Sequence, residues 1–322
     1  MNRVLVTGGA GTIGAAVVRR LLSDPAYEVR VSDQREAPTW MREGCEVHTG
    51  DLRDLEQARV ATTGCSHVIH LAAIVGGIAN FHKLPHTLTE VNNALYNAIV
   101  RAALENDLER FVYVSSSMVF ERATEYPTTE EHIHSTPIPE SAYGFSKLTG
   151  EVYVRAAHAE HGFPYTICRP FNAYGPGEMP EDEPGIAHMV PDVIKKCLTL
   201  PKGAPLPIFG DGTQTRTITH IDDIADGIVT AMSSPGGLHE DFNISASQEM
   251  TVAEIARVIW IACDRDPDAF ALEHLPTFEV DVVRRWPSVE KAKRVLGWES
   301  QISVEDGVAA TVEWLRGVLA AA

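Results

Sequence analysis

Residues 4–22 read VLVTGGAGTIGAAVVRRLL: a short apolar run, glycines at positions 8, 11 and 14, then a stretch of helical period. No other segment narrows the possible folds as far. A strand that turns into a helix through Gly8, Gly11 and Gly14 can make a tight turn and admit a pyrophosphate to the backbone. The third glycine also lets the helix pack close on the strand. The N–H groups at Thr12, Ile13 and Gly14 then open the helix without partners inside it, at the positive end of its dipole, where phosphates are held. Asp33 closes the second apolar run nineteen residues after Gly14. A carboxylate there accepts hydrogen bonds from a ribose diol and repels a 2′-phosphate, which favours NAD over NADP. Arg35 pulls the other way, because an arginine just past that strand accommodates a 2′-phosphate.

The rest of the chain repeats the alternation. Short β-rich runs (RVLVTG, EVRVSD, CEVHTG, HVIHLAA, RFVYVSSS, YTICRP) are separated by longer segments of helical period. In residues 89–106, Val91, Leu95, Ala98, Ile99 and Ala102 recur at three- and four-residue steps. Residues 141–162 are also helical and end at Gly162 and Pro164. Strand–helix alternation of this kind predicts an α/β fold with a doubly wound parallel sheet covered by helices on both faces. After RPFNAYGPGE (169–178) the texture changes: residues 176–210 are rich in Pro and Gly, with one short helix predicted over 189–200. Further helices are predicted over 251–263 and 303–322, and Phe242–Ser245 is predicted to return to the sheet as a strand.

Composition excludes several classes. A formal charge of -17 argues against broad attraction to nucleic acid or anionic lipid. The apolar runs fall short of the ~20 residues that a membrane span needs. The N-terminus goes straight into a strand pattern, which points to a cytoplasmic protein. Five scattered cysteines, with no C-x-x-C pair, suggest neither a disulfide framework nor a zinc site. His132 and His134 form an H-x-H without a third ligand in view, so no metal is expected.

YGFSK sets Tyr143 and Lys147 four apart on one face of a predicted helix. A phenol with an ordinary pKa near ~10 is a poor base at neutral pH. A neighbouring ammonium and the positive nicotinamide of NAD favour the phenolate, which makes Tyr143 a general base for a hydroxyl group. Gly50-Asp51-Leu52 follows the third strand, and Asp51 has two readings: a partner for the adenine amino group, or the cap of a helix in DLRDLEQA.

Taken together, the glycine loop, HLAA (70–73), VSSS (114–117), YGFSK (143–147), RPFNAYGPG (169–177), GDGTQTRTITHIDD (210–223) and KAKRVLGWES (291–300) resemble the extended short-chain dehydrogenase/reductase superfamily. The likeness is to its NAD-dependent nucleotide-sugar epimerase/dehydratase family and spans essentially the whole chain. It implies a Rossmann-type NAD-binding domain over 1–170, a segment around 215–245 returning to it, and a smaller, mainly nucleotide-sugar-binding domain over 171–322. It further implies a nucleotide-diphosphate sugar as substrate and a homodimer through the two long helices. Leu52, Leu71, Ala72 and Ala73 fall on cofactor positions. Tyr143 falls on the base, Lys147 on its partner and ribose clamp, and Ser116 on the catalytic hydroxyl, three residues before Val119.

The resemblance also separates reactions. Dehydratases of the family carry Asp-Glu after the catalytic serine, where this chain has Ser117-Met118, so dehydration is disfavoured. GDP-fucose synthase and GDP-mannose 3,5-epimerase place a cysteine where Met118 stands, and a thioether has no transferable proton. Yet Ala72–Ile78, with Val75 and Gly76, resembles a loop of those same enzymes, and His188 matches their partner histidine. Asn172 and Arg216 match residues that contact the diphosphate, and Arg284 and Arg285 fall near another phosphate-binding arginine. Glu121, beside Phe120 in place of the usual Tyr-Gly or Tyr-Pro, is either a surface carboxylate or a second acid/base. The expectation is a 4-epimerase working through a transient 4-keto sugar. Alternatives are a 3,5-epimerase-type or epimerase/reductase enzyme using His188, net reduction by external NAD(P)H, and a catalytically inactive NAD-binding sensor.

Overall fold

The computed structural model describes residues 2–75, 83–181, 187–277 and 282–321. Six strands arise in the order expected: β1 (Asn2–Thr7), β2 (Tyr27–Asp33), β3 (Glu46–Thr49), β4 (His67–His70), β5 (Arg110–Val114) and β6 (Tyr165–Pro170). Four short strands follow, β7 (Ala173–Tyr174), β8 (Leu206–Phe209), β9 (Thr215–Arg216) and β10 (Thr219–His220), before β11 (Asp241–Ile244). β11 pairs parallel to β6, so the predicted return strand is present, one residue earlier than Phe242–Ser245. The sheet has seven parallel strands in the order β11-β6-β5-β4-β1-β2-β3. Its direction of winding reverses between β1 and β4, and a ligand crevice opens beyond the carboxyl ends of strands at such a point.

The apolar runs become strands because the sheet is covered twice. Val4, Leu5 and Val6 of β1 are fully buried, as continuous apolar strands of parallel sheets are. On one face, Val17 and Leu21 of the first helix (Thr12–Leu22) pack with Ile224, Ile228 and Met232 of the helix Ile221–Ser233. On the other, the helices Leu55–Thr62, Pro85–Leu104 and Ala142–His161 cover Leu5, Val68, Phe111 and Tyr113. Each such side chain fully buried contributes roughly 1.5–3 kcal/mol. The helix predicted over 89–106 begins earlier, because Pro85 sits in its first turn, where its missing N–H costs nothing. The Tyr–Lys helix ends at Gly162, which takes the left-handed conformation.

The later helices form where predicted: Met189–Thr199, Val252–Ala262 and Val304–Ala321. With β8 they enclose a separate core of Val190, Ile194, Leu206, Ile255, Trp260 and Leu315. The remaining strands, β12 (Met250–Thr251), β13 (Leu272–Leu275) and β14 (Arg284–Arg285), pair with β9, β8 and β9 respectively. Among the described residues, no helix is long and apolar enough to cross a membrane.

Candidate active site

A cleft of about 1530 Å³ opens at the carboxyl end of the sheet, between it and the later core. That volume exceeds the ~300–1,000 Å³ usual for one small ligand. Gly8, Gly11, Thr12, Ile13 and Gly14 line one end. Gly8 holds φ +70°, and a Cβ at Gly14 would run into the Gly8 carbonyl oxygen, so the loop closes against the helix as glycine alone permits. The helix has Gly11 as its N-cap and no side-chain cap, which leaves its first N–H groups to the cleft. These residues fit a dinucleotide pyrophosphate.

Asp33 lines the same end, at the tip of β2. Its Oδ2 accepts from the Ala10 N–H at 3.0 Å, fastening the glycine loop. Arg35 folds back on it, with Nε to Oδ1 at 3.2 Å and Nη2 to Oδ2 at 3.1 Å. The arginine that argued for a 2′-phosphate is thus engaged by the carboxylate that argues against one. The reading of Asp51 as a helix cap does not hold. The flanking Gly50, Leu52 and Arg53 line the cleft, whereas the Asp51 carboxylate binds Arg53 at 2.5 Å and is held below its ordinary pKa by that guanidinium. The neighbouring helix is capped instead by Asp54. Leu71, Ala72, Ala73 and Val75 line the cleft, and Gly76 lies outside the described residues. Asn92, with no signal in the sequence, fixes this loop: its amide accepts from Ile74 N–H at 2.7 Å and donates to Ile74 C=O at 3.1 Å.

Ser116, Tyr143 and Lys147 meet in the middle of the cleft. Ser116 caps a single 3-10 turn (Ser117–Phe120) and stands in the cleft beside Tyr143, whose phenol pKa it works to lower. Burial pushes the Tyr143 phenol up to about 12, against the Ser116 hydrogen bond and the Arg285 charge. The Lys147 ammonium donates to the Val114 carbonyl at 2.8 Å and lies 5.9 Å from the centre of the Tyr143 ring, and the Arg285 charge works to lower the phenol pKa. Burial brings Lys147 down to about 8, partly offset by Glu151. Glu151 is four residues further along the same helix, a spacing that the sequence shows plainly. It receives Ser115 Oγ at 2.5 Å and the fully buried Arg169 at 2.8 and 2.6 Å.

The other end of the cleft carries Ser117, Met118, Asn172, His188, Arg216 and Arg285. Arg285 reaches the Asn172 amide oxygen at 3.1 Å and the Met118 sulfur at 3.0 Å. Arg284 does not line the cleft. Neighbouring side chains on a strand point to opposite faces, and Arg284 pairs with Glu249 at 2.7 and 2.8 Å between the rings of Tyr126 and Trp286. Arg216 lines the cleft and donates to the Thr215 carbonyl at 2.8 Å. His188 precedes the helix Met189–Thr199, and its Nδ1 lies 2.6 Å from Glu178 Oε1, a partner for which the sequence offered no signal. Burial disfavours the charged imidazole, but the hydrogen bond and charge of Glu178 outweigh it and raise the His188 pKa. Glu121 is not a surface carboxylate: it is only 9% exposed, lines the cleft and binds Ser141. His132 hydrogen-bonds Thr129 N–H at 3.2 Å within a capping box, and no metal-binding cluster occurs among the described residues.

A parallel Rossmann sheet, a glycine loop with Asp33 and a Ser–Tyr–Lys centre define an NAD-dependent enzyme of the extended short-chain dehydrogenase/reductase class. The model of the NAD dependent epimerase/dehydratase family matches residues 4–245, and the chain belongs to that family. Its cofactor is NAD. It is similar to the UDP-glucose 4-epimerase of Mycolicibacterium smegmatis, 29% identical over 98% of each chain. It is also 26% identical to a trifunctional UDP-glucose 4,6-dehydratase/UDP-4-keto-6-deoxy-D-glucose 3,5-epimerase/UDP-4-keto-L-rhamnose-reductase of Arabidopsis thaliana, over 97% of this chain but 47% of that protein's length. Among solved structures, the UDP-glucuronic acid 4-epimerase of Bacillus cereus, in complex with UDP-glucuronic acid and NAD, superimposes with a TM-score of 0.86. That match has 26% identity and covers 98% of this chain and 99% of the other.

Proposed function

We propose that this enzyme is a nucleotide-sugar 4-epimerase. The observation that carries the reading is the company Tyr143 keeps: Ser116 and Lys147 beside it, and at Met118 a thioether that cannot move a proton. Such a centre suits proton exchange at one hydroxyl oxygen rather than at ring carbons. In this reading Ser116 holds the reacting C4 oxygen, Tyr143 takes its proton and later returns it, and Lys147 holds the cofactor ribose. Thr12, Ile13 and the glycines hold the pyrophosphate through backbone N–H groups, Asp33 the ribose diol, and Leu52, Leu71, Ala72 and Ala73 the walls. Bound NAD supplies a hydride acceptor and donor and a positive ring near the phenol. Asn172, Arg216 and Arg285 hold the diphosphate sugar, with Val75 and Ser117 along its path. The 4-keto sugar turns in the cleft before its other face is reduced.

The test is incubation with UDP-, GDP- and TDP-sugars, with C4 configuration read by NMR. Inversion is expected with one of them, and no interconversion of any by NAD-loaded protein would remove the reading. Tyr143→Phe should abolish turnover and leave NAD bound.

The His188–Glu178 contact supports a second reading, in which a 4-keto sugar is inverted at C3 or C5. That reaction introduces solvent deuterium at the inverted carbon, and 4-epimerisation does not. A homodimer through the helices Pro85–Leu104 and Ala142–His161 completes the proposal, supported by Val152, which is 59% exposed on the second of them. Sedimentation at micromolar concentration reads its mass.

A further inference from the structure

The distance between Ser116 and Tyr143 is set by two separate pieces of chain. Ser116 belongs to the turn Ser117–Phe120, whose first N–H groups it caps by accepting from Met118 N–H at 3.2 Å. Tyr143 is the second residue of the helix Ala142–His161, which Ser141 caps by accepting from Gly144 N–H at 3.1 Å. An apolar cluster of Val119 and Phe120 from the turn, Ala123 and Ile133 from the intervening chain and Leu148 from the helix packs the two pieces together, but apolar packing has no direction of its own.

Glu121 joins the two. It follows the turn directly, with its N–H on the Met118 carbonyl at 3.2 Å. Its carboxylate receives the Ser141 hydroxyl at 2.5 Å and the Ser141 N–H at 3.2 Å. The two pieces are also in direct contact, since a Cβ on Gly144 would stand 2.7 Å from the Met118 carbonyl oxygen. A closed circuit results: Ser116 caps the turn, Glu121 at the turn's exit grips Ser141, Ser141 caps the helix, and Tyr143 on that helix returns to Ser116. Hydrogen bonds to a buried carboxylate are short and strong, and a negative charge suits a helix N-terminus. The ion pair beside it, Arg122–Glu140 at 3.3 Å, is 45% and 56% exposed and is a weak rival for the same task.

We propose that Glu121 is a positioning residue for the Ser116–Tyr143 pair, acting by holding Ser141 and the start of the Tyr–Lys helix against the turn that carries Ser116. The inference rests on the reading of Tyr143 as the base. It predicts that Glu121 acts on the rate of the chemical step and not on substrate affinity.

The experiment compares Glu121→Ala, Glu121→Gln, Ser141→Ala, the Glu121→Ala/Ser141→Ala double variant and Arg122→Ala in NAD-loaded protein. Readouts are kcat and KM on the nucleotide-sugar that the wild type converts, and amide hydrogen exchange at Gly144. A misplacement of order 1 Å costs about 10²-fold in rate. Glu121→Ala should therefore lose about 10–100-fold in kcat with KM within about 3-fold. Glu121→Gln, which keeps an oxygen acceptor for Ser141 but loses the charge, should lose less than Glu121→Ala, about 3–10-fold in kcat, and Arg122→Ala should match the wild type. The double variant should be no slower than the slower single one, because both cut one circuit, and Gly144 exchange should quicken about 10-fold. Wild-type kcat in Glu121→Ala, a raised KM at unchanged kcat, or losses that multiply in the double variant would each overturn the proposal. If Glu121→Ala does not fold, Glu121→Gln decides: a kcat lowered about 3–10-fold at constant KM supports the circuit, and wild-type kcat refutes it. Should the wild type convert no nucleotide-sugar, the epimerase reading falls, and Gly144 exchange alone then decides: quickened exchange supports the clamp and unchanged exchange removes it.

Discussion

Behind the Tyr–Lys pair lies a buried charge cluster whose disruption can be sized in advance. Arg169 is wholly buried and Glu151 2% exposed. Two hydrogen bonds at 2.8 and 2.6 Å join them, and Asp241 approaches the same guanidinium at 2.7 Å. Glu151→Gln keeps the shape but sets an NH2 group against the N–H donors of Arg169 and removes the charge that balances it. Breaking a buried pair from one side costs about 3–5 kcal/mol. Asp241 remains to neutralise part of the guanidinium, so the lower end, about 3 kcal/mol, is expected. Against a total stability of roughly 5–15 kcal/mol this is a large fraction. Urea unfolding followed by circular dichroism measures it, as a lowered midpoint at unchanged slope. The same change reaches the active site, because Glu151 supports the charge of Lys147 against burial. Without it the Lys147 pKa falls below about 8, and the alkaline limb of the pH–rate profile moves to lower pH. A stability loss under about 1 kcal/mol, with the alkaline limb unmoved, would refute the reasoning, since Asp241 would then carry the balance alone.

Three further outcomes are expected. Burial works against the Asp241 carboxylate, but Arg169, Lys291 and Arg155 bring its pKa down to about 2. A depressed carboxyl stabilises the fold above its ordinary value near ~3.9 and loses that contribution as pH falls through about 2. Asp241→Asn should thus cost about 2 kcal/mol at pH 6, with the difference from wild type shrinking between pH 4 and 2 in thermal melts. Arg285→Ala should lower kcat/KM for the nucleotide-sugar by at least about 10-fold, whereas Arg284→Ala, which removes a partly exposed ion pair outside the cleft, should change it by less than about 3-fold. His188→Ala should leave C4 inversion within about 10-fold of wild type, and a complete loss of turnover would favour the reading at C3 or C5.

Much of the fold was legible because its signals are local. Strand and helix periods are written in neighbouring residues, and Gly8, Gly11 and Gly14 announce a turn that other residues cannot make. Tyr143 and Lys147 were legible for the same reason, since four residues on a helix fix a shared face. What local pattern could not show was direction and partnership. Arg284 and Arg285 are equivalent as letters, and only the pleat of β14 turns one to the cleft and the other to Glu249. Asp51 offered a cap for the next helix, and only the fold shows that Asp54 takes that part. Glu178 and Glu121 find their partners through loops whose path no periodicity encodes.

By itself, then, the sequence determined the parallel sheet, the dinucleotide loop, the family and the identity of the central Ser, Tyr and Lys. Each depends on spacing along the chain, and the backbone converts spacing into geometry by rules that hold in any protein. The tertiary structure alone decided the electrostatics. That Lys147 donates to the Val114 carbonyl, that burial pushes Tyr143 up to about 12 against the Arg285 charge, and that Glu121 grips Ser141 all depend on which distant segments exclude water together. Burial and charge act through space, where residues far apart in the chain become neighbours.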